Sequence, residues 1–147
     1  MFRARVERRA NMIVRHVRVN RTHSAREAIN ATGRKKYLDN NVVDSMPRGE
    51  GDEADVYFFK ESRTISNDDL AKKYESLGFK PDPYAQAAVN EADPAFADDH
   101  PNGSQWKDAD GNWCFAAFYR WNDERHVNVN RHDYDWGDGW WFAGVRK

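Results

Sequence analysis

The alternation of apolar and polar residues is clearest in the last third of the chain. Residues 113–121, 125–131 and 140–146 are short aromatic segments with the two-residue period of half-buried strands. Turn-forming residues precede and separate them, at 101–103 and 110–111. The pattern predicts an antiparallel sheet at the C-terminal end.

The first two thirds of the chain carry helix signals. Ser66 precedes a segment with a helical apolar period and Gly78 follows it, as cap and stop residues do. Ser24 and Glu27 have the spacing of a capping box. We predict helices over 25–31, 67–77 and 84–91, a helical turn over 95–100, and strands over 12–19 and 55–60. The fold class is therefore α+β, with helices in the N-terminal two thirds and a tryptophan-rich antiparallel sheet at the C-terminus.

Length and composition predict a single folded domain over residues 1–147. The 14% aromatic content argues against disorder, although 32% of the residues are charged. Lys and Arg outnumber Asp and Glu by eleven to two in residues 1–36, but are outnumbered six to fifteen in residues 37–100. We predict that residues 1–11 form a disordered basic arm. A nucleic-acid-binding module using this arm is an alternative function, but charge attraction alone is sequence-blind, and we do not expect a nucleic-acid partner.

The single cysteine, Cys114, bears on compartment and chemistry. It cannot form an internal disulfide, and its apolar neighbours predict a buried, inert thiol. No apolar stretch is long enough to span a membrane, and the Arg-rich N-terminus lacks the apolar core of a signal peptide. We therefore expect no membrane insertion, a cytoplasmic location by default, and no cofactor.

One polar cluster has calcium-loop spacing. Asp108, Asp110 and Asn112 place oxygen side chains at alternate positions, as the opening of a calcium loop does. Trp113 stands where that loop needs glycine, and Tyr119 stands where it needs glutamate. We predict a hairpin turn and no metal site, with weak calcium binding as the alternative.

Two further clusters raise the question of catalysis. The acidic residues of the last quarter are Asp123, Glu124, Asp133, Asp135 and Asp138. A carboxylate pair among them could support glycoside or phosphoester hydrolysis, so a small hydrolase is a further alternative, although turn chemistry explains aspartates here equally well. His126 and His132 would lie about 20 Å apart on a straight strand and cannot share one ion. We predict that they are surface residues contributing contacts, and that the protein is not an enzyme.

Residues 122–139 place small and polar side chains between tryptophan, arginine and hydrophobic positions. In a strand, successive side chains point to opposite faces. One set can therefore hold the fold together while the other set forms a recognition surface. This alternation predicts a binding face rather than a catalytic centre.

Two runs, WNDERHVNVNR at 121–131 and DWGDGWWFAG at 135–144, resemble the variable region of target proteins of diversity-generating retroelements. The resemblance implies a C-type-lectin-like fold that presents a hypervariable surface. In that system a reverse transcriptase copies a template with errors at adenines, so template Asn codons yield many residue types and no stop codon. Asn, His, Tyr, Gly and Asp can arise in this way, whereas tryptophan cannot.

The resemblance implies that residues 121–147 form a variable ligand-binding region. Positions that an Asn codon can supply are Asn122, His126, Asn128, Asn130, His132, Tyr134, Gly137, Asp138 and Gly139. The fixed scaffold would be Trp121, Trp136, Trp140, Trp141 and Phe142. Tyr134 would be the main anchor, because tyrosine offers a large contact area at low entropy cost. Asp133 and Asp135 fit either group. The expected partner is an unidentified protein or glycan, and the oligomeric state is left open.

Overall fold

The computed structural model describes residues 12–147, so the predicted basic arm over residues 1–11 lies outside the described residues. The strands are β1 (Met12–Arg18), β2 (Lys35–Leu38), β3 (Glu53–Lys60), β4 (Phe79–Lys80), β5 (Asn102–Lys107), β6 (Trp113–Trp121), β7 (Glu124–Arg131) and β8 (Trp141–Arg146). The helices are α1 (Ala25–Asn30), α2 (Asn40–Asp44), α3 (Asn67–Leu77), α4 (Pro83–Ala92) and α5 (Phe96–Asp99).

The strands form one mixed sheet in the order β1-β3-β8-β5-β6-β7-β2, with β4 also paired to β8. Most neighbours are antiparallel, but β2 runs parallel to β7 and β5 runs parallel to β8. The predicted combination of helices with a sheet is confirmed. The sheet is larger than the predicted C-terminal one and is mixed rather than antiparallel, because four strands from the first two thirds of the chain, β1 to β4, join it. Long-range pairing of this kind has no local sequence signal.

Side-chain caps fix the helix boundaries where the sequence predicts them. The Ser24 hydroxyl accepts the Glu27 N–H at 3.1 Å, and the Glu27 carboxylate accepts the Ser24 N–H at 2.8 Å. Ser66 caps α3, which ends before Gly78 at φ 74°. Helix α4 begins one residue earlier than predicted, because Asp82 accepts the Ala85 N–H. Among residues 12–147, no helix has both the length and the apolar character needed to cross a membrane.

The predicted turn over residues 101–103 is wrong, because Asn102 and Gly103 open strand β5. Asn102 is fully buried, and its amide group exchanges hydrogen bonds with Gln86 and Asn90 of α4 at 3.0–3.2 Å. A Cβ at Gly103 would lie 2.5 Å from the Trp136 ring. A polar network and a missing side chain, rather than turn formation, therefore explain this Asn-Gly pair.

Hydrophobic side chains cover both faces of the sheet. On the core face, Phe118, Val127 and Val129 pack in one cluster with α1, α4 and α5. On the opposite face, which we call the cleft face, a smaller cluster surrounds Phe142 and Trp136 and includes Leu70 and Tyr74 of α3. Helix α3 covers only part of the cleft face. The uncovered part, over β6 and β7, is where the candidate site lies.

Candidate functional site

A cleft of about 520 Å³ opens on the cleft face beside β7. Its walls come from β6, from β7 and from residues 132–140, which we call the 132–140 loop. The lining residues are Phe115, Ala117, Tyr119, Asn128, Asn130, Arg131, His132, Tyr134, Asp135, Trp136, Gly137 and Trp140. The volume lies within the range of small-molecule sites and also suits one or two side chains of a larger partner.

Strand β7 supplies the polar floor of the cleft through its two-residue period. Val127 and Val129 are fully buried in the core, whereas Asn128 and Asn130 point to the cleft face and are partly exposed. Asn130 donates to the Tyr37 carbonyl oxygen at 3.1 Å and to the side-chain oxygen of Asn128. The predicted alternation over this strand is confirmed. Each asparagine keeps hydrogen-bonding capacity for a ligand.

Trp136 holds the 132–140 loop on the sheet. Its ring is 4% exposed and lies directly over Gly103, in the space that a side chain would fill. The indole Nε1–H donates to Gln105 Oε1 at 3.0 Å, and Gln105 Nε2 donates to the Asn67 carbonyl oxygen at 2.7 Å. Both ends of the Gln105 amide are therefore bonded, and Trp136 is fixed to β5 and to the start of α3.

Backbone bonds fix the same loop from the other side. Ile65 and Trp136 exchange two N–H···O bonds, of 3.0 and 2.8 Å, in an isolated antiparallel bridge. The Asn67 side chain also donates to the His132 carbonyl oxygen at 3.4 Å. Between these anchors Tyr134 is 79% exposed, and after them a side chain added at Gly137 would meet no atom within 4 Å. The loop thus combines a fixed backbone with free side-chain positions.

His132 lies in the cleft wall as a neutral ring. Burial lowers its pKa below the ordinary value of 6.5. The Tyr134 N–H donates to His132 Nδ1 at 3.1 Å, which assigns the acceptor role to that nitrogen. The ring also meets the Phe115 ring at 4.4 Å between centroids. His132 therefore supports the loop and leaves Nε2–H as its remaining donor.

The prediction that His126 is a surface contact residue is wrong. Its side chain points to the cleft face as the alternation requires, but the residue is only 3% exposed. The ring is stacked between Tyr37 and Tyr119, with centroids 5.4 Å away on each side. Its Nε2 donates to the Trp121 carbonyl oxygen at 3.0 Å. Tyr37 covers it because β2 pairs in parallel with β7, and the local sequence pattern predicts no strand at β2.

Three more of the nine predicted positions lie outside the cleft lining. Asn122 forms the β6–β7 turn together with Asp123, at φ values of 55° and 61°, and two-residue hairpin turns of this shape favour such residues. Asp138 is exposed in the 132–140 loop, and Gly139 has φ 88° there. The cleft therefore brings together five predicted positions: Asn128, Asn130, His132, Tyr134 and Gly137.

The aromatic residues of the predicted scaffold differ in exposure. Trp136 and Phe142 are buried as predicted, and Trp140 and Trp141 are partly buried. Trp121, which the resemblance implies only as a fixed position, is 66% exposed at the end of β6. Tyr119 lines the cleft and was not predicted as a site residue. The available signal was the strand period: Tyr119 lies two residues after Ala117 and therefore on the same face of β6, the face that lines the cleft.

The other chemical clusters have structural roles. Asp108 closes the β5–β6 hairpin by accepting the Asp110 and Asn112 N–H groups at 3.0 and 2.9 Å, which confirms the predicted turn. Arg131 donates to the same carboxylate at 2.9 Å. Cys114 is buried as predicted, and burial raises its pKa. Within residues 12–147, no group of three or more His, Cys, Asp or Glu side chains is arranged to hold a metal ion.

The acidic residues of the proposed hydrolase alternative do not gather at one place. Asp123 and Glu124 lie at the β6–β7 turn, where Glu124 pairs with Lys35 at 3.4 Å. Asp133, Asp135 and Asp138 belong to the 132–140 loop, and of these five acids Asp135 alone is among the residues lining the described cleft. The arrangement offers the cleft one carboxylate rather than the facing pair that glycoside hydrolysis requires.

Comparison with known proteins found no matching family model, no matching curated protein and no matching solved structure. The cleft and the residues around it are therefore the basis for a functional proposal.

Proposed function

We propose that this protein recognises a ligand, without catalysis, through the cleft between β7 and the 132–140 loop. We further propose that it is a C-type-lectin-like target protein whose cleft residues are diversified by a retroelement. The observation that carries the proposal is the gathering of five positions in one cleft, namely Asn128, Asn130, His132, Tyr134 and Gly137. The four residue types at these positions, Asn, His, Tyr and Gly, can all arise from an Asn codon by changes at adenines.

The mechanical arrangement supports diversification. Residues that fix the backbone, such as Trp136 and Gln105, are buried and bonded to each other. Two of the residues that would vary carry little of the core, since Tyr134 is exposed and Gly137 has open space around it. Sites built on fixed backbone with separable side chains can change specificity without loss of folding.

The recognition mechanism follows from the chemistry of the lining. Tyr134 presents an aromatic contact at the rim at a low cost in conformational entropy, because a tyrosine has few rotatable bonds to order on binding. Asn128 and Asn130 supply amide donors and acceptors on the floor. Tyr119 and Trp140, which lie 6.0 Å apart in an edge contact, supply apolar wall. Binding would combine aromatic contact area with adaptable hydrogen bonds, and no step of covalent chemistry is needed.

The test is a comparison of two display libraries. One randomises the five cleft positions, and a matched library randomises five cleft-remote surface positions, Lys36, Asp44, Arg63, Lys72 and Asp99. Selection against a panel of unrelated proteins should give target-specific binders from the first library only. Equal recovery of binders from both libraries would contradict the proposal.

A second test addresses the retroelement itself. The DNA around the gene should contain a near-copy of codons 122–139 that differs only at adenines, beside a reverse-transcriptase gene. Differences spread over all four bases would contradict diversification, although they would leave ligand binding by the cleft untouched.

A further inference from the structure

The aromatic rings of the cleft meet at steep angles. Trp136 meets His132 at 70° and Trp140 at 74°, and Trp140 meets Tyr119 at 80°. Neighbouring rings in such an arrangement form walls rather than one flat platform. Aromatic faces carry negative potential, so the faces that line the cleft would attract a cation placed against them.

The charged residues around these rings also favour a cation. Asp135 lines the cleft, and Asp133 and Asp138 lie in the same loop. No side-chain hydrogen bond or ion pair engages these three carboxylates within residues 12–147. The cation of the lining, Arg131, donates to Asp108 at 2.9 Å and is thereby balanced. His132 adds no positive charge near neutral pH, because burial lowers its pKa.

We propose that the cleft accepts a cationic side chain, arginine or lysine, from a partner protein. The proposal rests on ligand recognition by this cleft and adds the chemical class of the group that enters it. The aromatic walls would receive the alkyl stem and the charged head, and Asp135, with Asp133 and Asp138 in the same loop, would provide the opposing charge. An acidic group would instead meet unpaired carboxylates of its own sign.

The experiment titrates the folded protein with two small probes. One is the peptide acetyl-Gly-Arg-Gly-amide, and the other is its counterpart with citrulline, which is neutral and nearly the same shape. The indole N–H signals of Trp136 and Trp140 are followed by NMR. We expect saturable shifts with the arginine probe and affinity about tenfold weaker with citrulline, as expected for one cation–π contact with a nearby ion pair.

Two triple variants provide the charge control. D133N, D135N and D138N together should remove the advantage of arginine over citrulline. D44N, D99N and D110N together change the net charge equally at exposed positions outside the cleft lining, and should keep that advantage. Added salt should weaken binding of the arginine probe more than that of citrulline.

The outcomes separate this proposal from the broader one. Equal binding of both probes at the cleft would overturn the cation proposal and leave ligand recognition standing. An equal loss in both triple variants would also overturn it, because the effect would then come from net charge alone. If the arginine probe shifts neither indole signal, the cation proposal fails, and the display-library comparison decides ligand recognition independently.

Discussion

The side chains on the two faces of strand β7 differ in how uniformly they are buried. On the core face Val127 and Val129 are fully buried, as the two-residue period predicts. On the cleft face the same period gives two different outcomes: His126 is buried, whereas Asn128 and Asn130 are partly exposed and line the cleft. The period fixes the direction of a side chain, whereas neighbouring strands and loops fix its exposure.

The same contrast recurs within the 132–140 loop. Trp136 is anchored through its ring, its indole N–H and its backbone, while Tyr134 two residues earlier is exposed. The loop therefore places a buried anchoring residue and an exposed side chain only two positions apart. The proposed division of labour can be tested by substitutions that compare matched positions.

The largest expected effect comes from W136A. Removing this buried ring should lower the free energy of unfolding by about 3–5 kcal/mol, because it empties the space over Gly103 and leaves Gln105 Oε1 without its donor. Urea unfolding measures the change. The matched variant Y134A should cost less than about 0.5 kcal/mol, as exposed positions do. Similar losses of unfolding free energy in both variants would contradict the contrast between the anchoring Trp136 and the exposed Tyr134.

The next largest effect on stability is expected from a comparison of two residues on the cleft face of β7. H126A should lower the free energy of unfolding by roughly 2 kcal/mol, within the range for buried side chains, because it removes the ring between Tyr37 and Tyr119. N128A should cost less than about 1 kcal/mol. If N128A proves the more costly in chemical unfolding, His126 belongs to the binding face after all.

A smaller effect separates the two glycines of the loop. G139A should lower the free energy of unfolding by about 1 kcal/mol, since Gly139 has φ 88° and an L-residue is strained there. G137A should change it by less than about 0.5 kcal/mol, because Gly137 has open space and an ordinary backbone. Thermal unfolding of the two variants side by side gives the comparison. Equal tolerance would make Gly139 as suitable for diversification as Gly137.

The smallest effect is a pH dependence of opposite sign at two histidines. Hydrogen bonds to Asp55 and then Glu53 raise the pKa of His16, so its contribution to stability is present below pH 6.5 and is lost as the pH rises through the folded-state pKa. Burial lowers the pKa of His132, so its contribution is present above pH 6.5 and is lost as the pH falls through the folded-state pKa.

An NMR titration of the ring protons should therefore place the midpoint of His16 above 6.5 and that of His132 below it. H132N should reduce the loss of stability on acidification, since it removes the group that must charge in a poorly solvated place. The reverse order of the two midpoints would show that His132 is exposed to solvent in the folded protein.

Local sequence signals predicted much of the secondary structure. The capping residues Ser24 and Ser66 marked α1 and α3 correctly, since caps act within one helical turn. The short elements β2, α2 and β4 were missed. The strands β2 and β4 depend on partners far away in the chain, β7 and β8, and all three elements have too few residues to show a period.

The site was predicted in part for the same reason. Five of the nine proposed positions meet in the cleft, because the alternation of β7 and the loop after it set their direction. Asn122 is a turn residue and His126 is covered by Tyr37. Tyr119 could be placed beside them only once β6 and β7 were paired.

The sequence by itself determined the local periods, the helix ends and the alternation of tryptophans with small and polar residues in the last quarter. Only the tertiary structure decided which outward side chains are exposed, and which of them share a cleft. The physical reason is range: periods and caps act over a few residues, whereas burial depends on strands and loops that meet from distant parts of the chain. Gly103 illustrates both levels, since its sequence context suggests a turn, and the ring of Trp136 over it explains why glycine is there.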